Sequence, residues 1–126
     1  MLKVTHLDHI VVNVADVERA LAFYCDELGL GPVRVDEWRR HEAPFPSARV
    51  NASTIIDLVA LARPGENIDH FCLVVEPTDL AEIAASGRFE VVSGPVRRYG
   101  ARGDGMSLYV RDPDGNLVEI RYYEPA

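Results

Sequence analysis

Four residues with metal-ligating side chains recur in register along this chain. Asp8-His9 stands in LDHIVVNV and Asp69-His70 in IDHFCLVV; Asp57 stands in TIIDLVAL and Glu119 in NLVEIRYY. The two histidines lie 61 positions apart and the two carboxylates 62 (70 − 9 and 119 − 57). Each half of the chain therefore holds one imidazole near its start and one carboxylate near its end. Mixed imidazole and carboxylate donors suit a divalent cation such as Zn, Ni, Fe(II), Mn or Co, ahead of Mg or Ca. Three or four protein ligands leave positions for water or substrate oxygens, and a metal held in this way polarises a carbonyl and stabilises an enolate or alkoxide. A carboxylate that is loosely bound or displaced can then move a proton. His9, His70, Glu119 and Asp57 are the candidate ligands, and Glu119 and Asp57 are also the candidate proton carriers.

Taken singly, each of these residues has a plainer reading. A lone histidine in a strand is more often a core or surface residue than a ligand. Asp57 and Glu119, however, are flanked by Ile56 and Leu58 and by Val118 and Ile120. An unpaired charge among such neighbours is costly. A divalent cation satisfies all four groups at once.

The elements that must position these residues follow from periodicity. His6 to Val14 reads as a strand rich in Val and Ile. Asp16 caps a helix whose apolar residues Val17, Ala20, Leu21, Tyr24 and Leu28 recur at helical spacing, and Gly29 closes it. Leu30 to Trp38 reads as a strand, His41 to Ser47 as a Pro-containing loop, and Ala48 to Ala52 with Ser53 to Leu61 as a hairpin. Arg63-Pro64-Gly65-Glu66 reads as the connector. The second half repeats the order. Ile68 to Val75 is a strand, and a short helix opens at Pro77-Thr78 and ends at Gly87. A broken strand follows over Phe89 to Ser93 and Val96 to Tyr99. Gly100 to Gly105, with three glycines in six residues, reads as a mobile loop able to close over a site. Met106 to Arg111 and Asn116 to Tyr123 form a hairpin across Asp112-Pro113-Asp114-Gly115.

The fold expected is therefore α+β. One domain spans 1–126, built of two βαβββ modules (1–63 and 67–126) that form a curved mixed sheet. Side chains two apart in a strand share a face. Leu7, His9 and Val11 share one, as do Ile68, His70 and Cys72; Ile55, Asp57 and Val59 share another, as do Leu117, Glu119 and Arg121. Val118, Ile120, Ile10 and Val12 point the other way, toward the helices. All four candidate ligands then lie on the face away from the helices, which curvature would make concave.

Composition narrows the functional classes. The 126 residues are about one domain long, and 48% apolar content suffices for a packed core. A net charge of −7 argues against a nucleic-acid partner, which needs a basic stripe. No apolar stretch approaches the ~20 residues of a membrane span, and MLKVTHLDH lacks a signal-peptide core, so a soluble cytoplasmic protein without a membrane partner is expected. Cys25 and Cys72 lie in no CxxC pair and read as small core residues.

His9 in LDHIVVNVADVERALAFYCDELGL, His70 in IDHFCLVV and SLYVRDPDGNLVEI ending on Glu119 resemble the vicinal oxygen chelate superfamily. That group holds glyoxalase I, methylmalonyl-CoA epimerase, extradiol dioxygenases, fosfomycin-resistance transferases and bleomycin-resistance proteins. The resemblance covers essentially the whole chain. It is nearest to small glyoxalase-domain proteins of the glyoxalase-domain-containing protein 5 type. It implies that His9, His70 and Glu119 are metal ligands and that Asp57 stands where glyoxalase I carries a fourth ligand, a glutamate one methylene longer. Ser107 and Tyr109 match phosphonate-contacting positions of the fosfomycin transferases, although Val11 stands where those enzymes have threonine. Arg121, two residues beyond Glu119, is a further candidate for contact with a substrate carboxylate. The resemblance also implies a homodimer, with the His9 and Asp57 half of each site from one subunit and the His70 and Glu119 half from the other. The activity implied is a metal-dependent lyase or isomerase reaction on a small substrate with vicinal oxygens. Two alternatives stay open: an Fe(II) extradiol-type dioxygenase, in which Tyr109 or His41 would replace the usual second-half histidine, and a metal-free, bleomycin-resistance-like binding protein.

Overall fold

The computed structural model describes residues 2–60, 67–111 and 115–125. Its order is strand β1 (Val4–Val14), helix α1 (Val17–Leu21), β2 (Gly31–Val33), α2 (Val35–Arg39), β3 (Ser47–Asn51), β4 (Thr54–Ala60), β5 (Ile68–Val75), α3 (Leu80–Ala85), β6 (Glu90–Gly100), β7 (Gly103–Arg111) and β8 (Leu117–Tyr122). All eight strands join one curved mixed sheet in the order β2-β3-β4-β1-β5-β8-β7-β6. The order reads as two copies of one unit placed back to back. Within each copy the first and last strands run parallel, β1 with β4 and β5 with β8. The copies meet along the antiparallel pair β1 and β5. Both βαβββ modules are thus present, the first with an additional short helix.

Local sequence explains most boundaries. The Asp16 carboxylate accepts from the Arg19 backbone N–H at 3.0 Å and starts α1. The helix then widens into a π-helical stretch over Ala22–Glu27, with the Leu28 N–H donating to the Phe23 carbonyl, before Gly29 turns away at φ 77°. Asp79 caps α3 in the same manner, its carboxylate accepting from the Glu82 backbone N–H at 3.0 Å.

Three expectations are corrected. The strand expected from Leu30 to Trp38 ends at Val33. Arg34 takes a left-handed conformation (φ 58°) and the chain turns into α2, which lets Trp38 pack with Leu21 and Leu58. The break expected around Gly94-Pro95 is a shift in pairing within one long strand, β6, whose register with β7 slips between Ser93 and Val96. Gly100 to Gly105 is a tight hairpin turn, not a mobile loop. Tyr99 pairs with Asp104 and Gly100 with Gly103 across it. The Arg63 to Glu66 connector and the first three residues of the Asp112 to Gly115 turn lie outside the described residues.

The core lies between the helices and one sheet face. Val75, Leu80, Leu108, Val110, Val118 and Ile120 form one cluster under α3. Val17, Leu21 and Leu58 form the other under α1. Val118 and Ile120 therefore face the helices as strand alternation requires, and Glu119 between them faces away. Among the described residues no helix is long and apolar enough to cross a membrane.

Candidate metal centre

The central strands bring together His9 from β1, Asp57 from β4, His70 from β5 and Glu119 from β8 within a single chain. Each histidine follows a β-bulge. Along β1, Leu7 faces Leu73 while His9 faces Cys72, so Asp8 is an extra residue. Along β5, Ile68 faces Val12 while His70 faces Val11, so Asp69 is an extra residue. A bulge lets two consecutive side chains reach the same region. Here it lets each aspartate bond its own neighbour. Asp8 Oδ2 is 2.7 Å from His9 Nδ1, and Asp69 Oδ2 is 2.8 Å from His70 Nδ1. The aspartates fix each ring through Nδ1 and turn both Nε2 atoms toward the same place.

That place is held by Glu119. Its Oε1 lies 3.1 Å from His9 Nε2 and 3.0 Å from His70 Nε2. These three ligand atoms lie within 4.8 Å of one another. The other carboxylate oxygen, Oε2, accepts from Ser107 Oγ and Arg121 Nη2, each at 2.7 Å. The two imidazole rings meet edge to face, with centroids 5.5 Å apart. This donor set fits a divalent cation. Two imidazole nitrogens and a carboxylate oxygen converge, each imidazole is oriented by a carboxylate behind it, and the ligating carboxylate is itself hydrogen-bonded.

Electrostatics follow from burial opposed by close partners. Burial pulls the His9 pKa down, but hydrogen bonds to Asp8 and Glu119 and the charges of Glu119 and Asp57 outweigh it and hold it up at about 9. Burial likewise opposes protonation of His70, and Glu119 and Asp69 reverse the shift upward. Burial would raise Glu119, yet both imidazoles and Arg121 hold it far below the usual carboxylate range. Asp57 behaves oppositely. Burial dominates and pushes its pKa up, despite His9, Ser47 and Arg34.

Asp57 stands apart in geometry too. Its Oδ2 is 3.9 Å from His9 Nε2, and Oδ1 accepts from Ser47 Oγ at 2.5 Å. It lies outside the close cluster formed by His9, His70 and Glu119. A second cluster, Asp8, His9 and Cys72, is fully buried. There Asp8 already holds His9, and burial pushes the Cys72 thiol far up, so it stays protonated.

A cavity of about 490 Å³ opens onto the centre, with His9, His70, Glu119, Asp57, Tyr109 and Arg34 on its walls. Tyr109 lies beside His70, with ring centroids 5.7 Å apart. Ser107 and Arg121 do not line it. Both are fully buried behind Glu119, and Arg121 also donates to the Tyr99 carbonyl at 3.0 Å. In place of a contact with the cavity, these two candidate substrate residues hold Glu119, because the pairing of Ser107 with Arg121 across β7 and β8 places both side chains behind the carboxylate. Within this one chain β1 and β5 are neighbours in the sheet, so the two halves of the site face each other without a second copy. Sequence reasoning missed Asp8, Asp69, Ser47 and Arg34 as members of the site. The repeated Asp-His dipeptide was the available signal for the first two.

The sequence profile described as Glyoxalase/Bleomycin resistance protein/Dioxygenase superfamily matches residues 6–120. The chain is 33% identical over 125 residues to the virulence protein STM3117 of Salmonella typhimurium, covering 95% of this chain and 85% of that protein. It is 32% identical over 131 residues to the glyoxalase domain-containing protein RDO1 of Mycosarcoma maydis, covering 99% of this chain and 72% of that one. Its fold is similar to that of the Mn(II)-bound glyoxalase from Novosphingobium aromaticivorans, with a TM-score of 0.67 at 24% identity, covering 97% of this chain and 40% of that chain.

Proposed function

Because this chain belongs to the glyoxalase/bleomycin resistance protein/dioxygenase superfamily, we propose that it is a divalent-metal-dependent enzyme acting on a small substrate with vicinal oxygens. The reaction is a glyoxalase I-like lyase or isomerase step by proton transfer. The observation that carries this reading is the meeting of His9 Nε2, His70 Nε2 and Glu119 Oε1, with each imidazole backed by an aspartate.

His9, His70 and Glu119 would hold Ni, Zn, Mn, Co or Fe(II). When bound, such a cation supplies Lewis-acid polarisation of a substrate carbonyl. Arg121 and Ser107 fix Glu119 through Oε2, so Oε1 is left to face the imidazoles. Asp57, with its raised pKa and its place on the cavity wall, takes the proton next to the polarised carbonyl and returns it to the neighbouring carbon. Ser47 Oγ holds Asp57 Oδ1 and leaves Oδ2 toward the cavity side. Glu119 is the less suited proton carrier, since both of its oxygens are engaged.

The test is elemental analysis of protein incubated with Ni, Zn, Mn or Fe(II) and then dialysed, followed by turnover of the thiohemiacetal of a 2-oxoaldehyde. One metal per chain is expected, lost in His9→Ala and His70→Ala. Asp57→Asn should keep the metal and lose about 10²–10⁴-fold in kcat. Failure to bind any of these metals would overturn the reading, and unchanged kcat in Asp57→Asn would remove Asp57 from its role.

An extradiol-type dioxygenase is the second reading, favoured by one observation. With Asp57 drawn off by Ser47, the remaining set is two histidines and one carboxylate, the pattern of non-haem Fe(II) oxygenases. Oxygen uptake with catechols in the presence of Fe(II), absent with Ni or Zn, would favour it over proton transfer.

A further inference from the structure

We propose that Arg34 is the anion-recognition residue of this cavity, so that the substrate carries a carboxylate in addition to its vicinal oxygens. The first part stands on Arg34 itself, and the second rests on the metal-site reading above.

Arg34 joins β2 to α2 and is one of two non-glycine residues with positive φ among the described residues. That backbone conformation is uncommon for a side chain of this size and is characteristic of functional positions. The guanidinium lies against two aromatic rings. Its Cζ is 3.8 Å from the Tyr99 ring centroid and 4.9 Å from that of Phe45. Such contacts stabilise the cation and hold its plane, but they satisfy none of its N–H groups.

Two of those groups are left over. Arg34 Nε and Nη2 are buried without a hydrogen-bond partner among the described residues. These two donors form the side-on fork of a guanidinium, which matches the two oxygens of a carboxylate. The molecule contains this match elsewhere. In Arg39 the same pair, Nε and Nη2, donates to both carboxylate oxygens of Glu18, at 2.8 and 2.9 Å. Arg34 presents that fork with no carboxylate in it. Asp57 feels its charge, yet Nε and Nη2 reach no carboxylate. Buried polar groups in folded proteins are nearly always paired, so a desolvated, unpaired fork on a residue that lines the cavity points to an occupant.

The other cations do not compete for this role. Arg121 keeps an unpaired Nε, but it does not line the cavity, and its Nη2 is held by Glu119 and the Tyr99 carbonyl. Arg98 also reaches the cavity, but it is exposed and donates to the Arg97 carbonyl. Arg34 shares the cavity with His9, His70 and Glu119. One substrate can therefore present vicinal oxygens to the centre and an oxyanion to the fork.

The probes are 3,4-dihydroxybenzoate, its neutral isostere 3,4-dihydroxybenzamide and the longer 3,4-dihydroxyphenylacetate. Binding is measured by calorimetry on the full chain, with and without added Zn. The better of the two acids is expected to bind wild-type protein at least tenfold tighter than the amide. In Arg34→Met that preference should vanish while the amide affinity stays the same. Arg34→Lys, which keeps the charge but not the fork, should lose at least threefold of the preference, and it decides the matter if Arg34→Met does not fold. Arg98→Met should leave the preference intact. Equal binding of acid and amide, no binding of either acid, or a preference that survives in Arg34→Met or depends on Arg98 would overturn the inference. The metal arm is read separately. If Zn changes no affinity but the Arg34-dependent preference remains, the metal reading fails and the anion site stands.

Discussion

Asp8 decides more at this centre than its position in the sequence suggests. It is fully buried, and it accepts from the Ala101 N–H at 2.9 Å and from the Tyr123 hydroxyl while holding His9. Burial alone would raise its pKa, but these bonds and Arg121 hold it below the ordinary value. Carboxylates placed behind a ligating histidine typically govern metal affinity by 10–100-fold. Asp8→Asn should therefore weaken Zn binding by about that factor, as read by competition with a coloured chelator. Asp69→Asn should weaken it less, since the Asp69 side chain is 24% exposed against 0% for Asp8. A pH dependence belongs to the same pair. His9 is raised from 6.5 to about 9 in the metal-free protein. Its proton therefore contributes stability fully below pH 6.5, and that contribution fades as the pH rises through about 9. Metal must displace the proton, so apparent Zn affinity should climb across this window and level off above it; a flat profile would remove the imidazolium from the account. The four candidate residues stood out because the histidines repeat at an offset of 61 and the carboxylates at 62. The aspartates behind the histidines did not, because strict alternation sends Asp8 and Asp69 to the opposite face, and a bulge is a property of strand pairing that one strand's sequence does not carry.

At the scale of elements, the strands that carry the ligands follow their apolar patterns closely, and β5 runs over Ile68–Val75 as its residues predict. Departures arise where a tertiary contact overrides a local pattern. Trp38 ends in a helix because Arg34 turns the chain and the core under β4 takes the indole. The glycines from 100 to 105 suggested freedom, but two of them serve close packing instead. A Cβ at Gly100 would stand 2.1 Å from Arg121 Nη1 and 2.6 Å from Asp8 Oδ2, and one at Gly105 would stand 2.9 Å from the Tyr122 carbonyl. The hairpin between β6 and β7 thus seats against the arginine that fixes Glu119. Gly100→Ala is expected to destabilise the fold by about 1–3 kcal/mol through overpacking, measured by urea denaturation, and to loosen metal binding along with it. A wild-type midpoint would mean that Arg121 has room to yield.

At the scale of the whole molecule, the two modules meet so that one chain holds every candidate ligand. This yields a complementation test. If each site were shared between subunits, mixing refolded His9→Ala and His70→Ala chains would rebuild one intact site per pair. With all ligands in one chain, the mixture should bind no more Zn than either variant alone, as measured by elemental analysis after dialysis. The likeness of the modules was visible as the repeat, but their partnership was not, since two equivalent strands can pair within a chain or between chains at the same register. The seam between β1 and β5 relates the halves by a near-twofold axis, with a histidine from each side beside it. The carboxylates break that symmetry, because Glu119 closes onto the histidines while Asp57 is drawn aside by Ser47. In the proposed chemistry a single base therefore approaches the substrate from the flank of the first module. The proton leaves and returns on one prochiral face, and the enzyme should be enantiospecific. Chiral chromatography of the product, expected to give one enantiomer from wild-type protein and a racemate from uncatalysed rearrangement, would reveal that handedness.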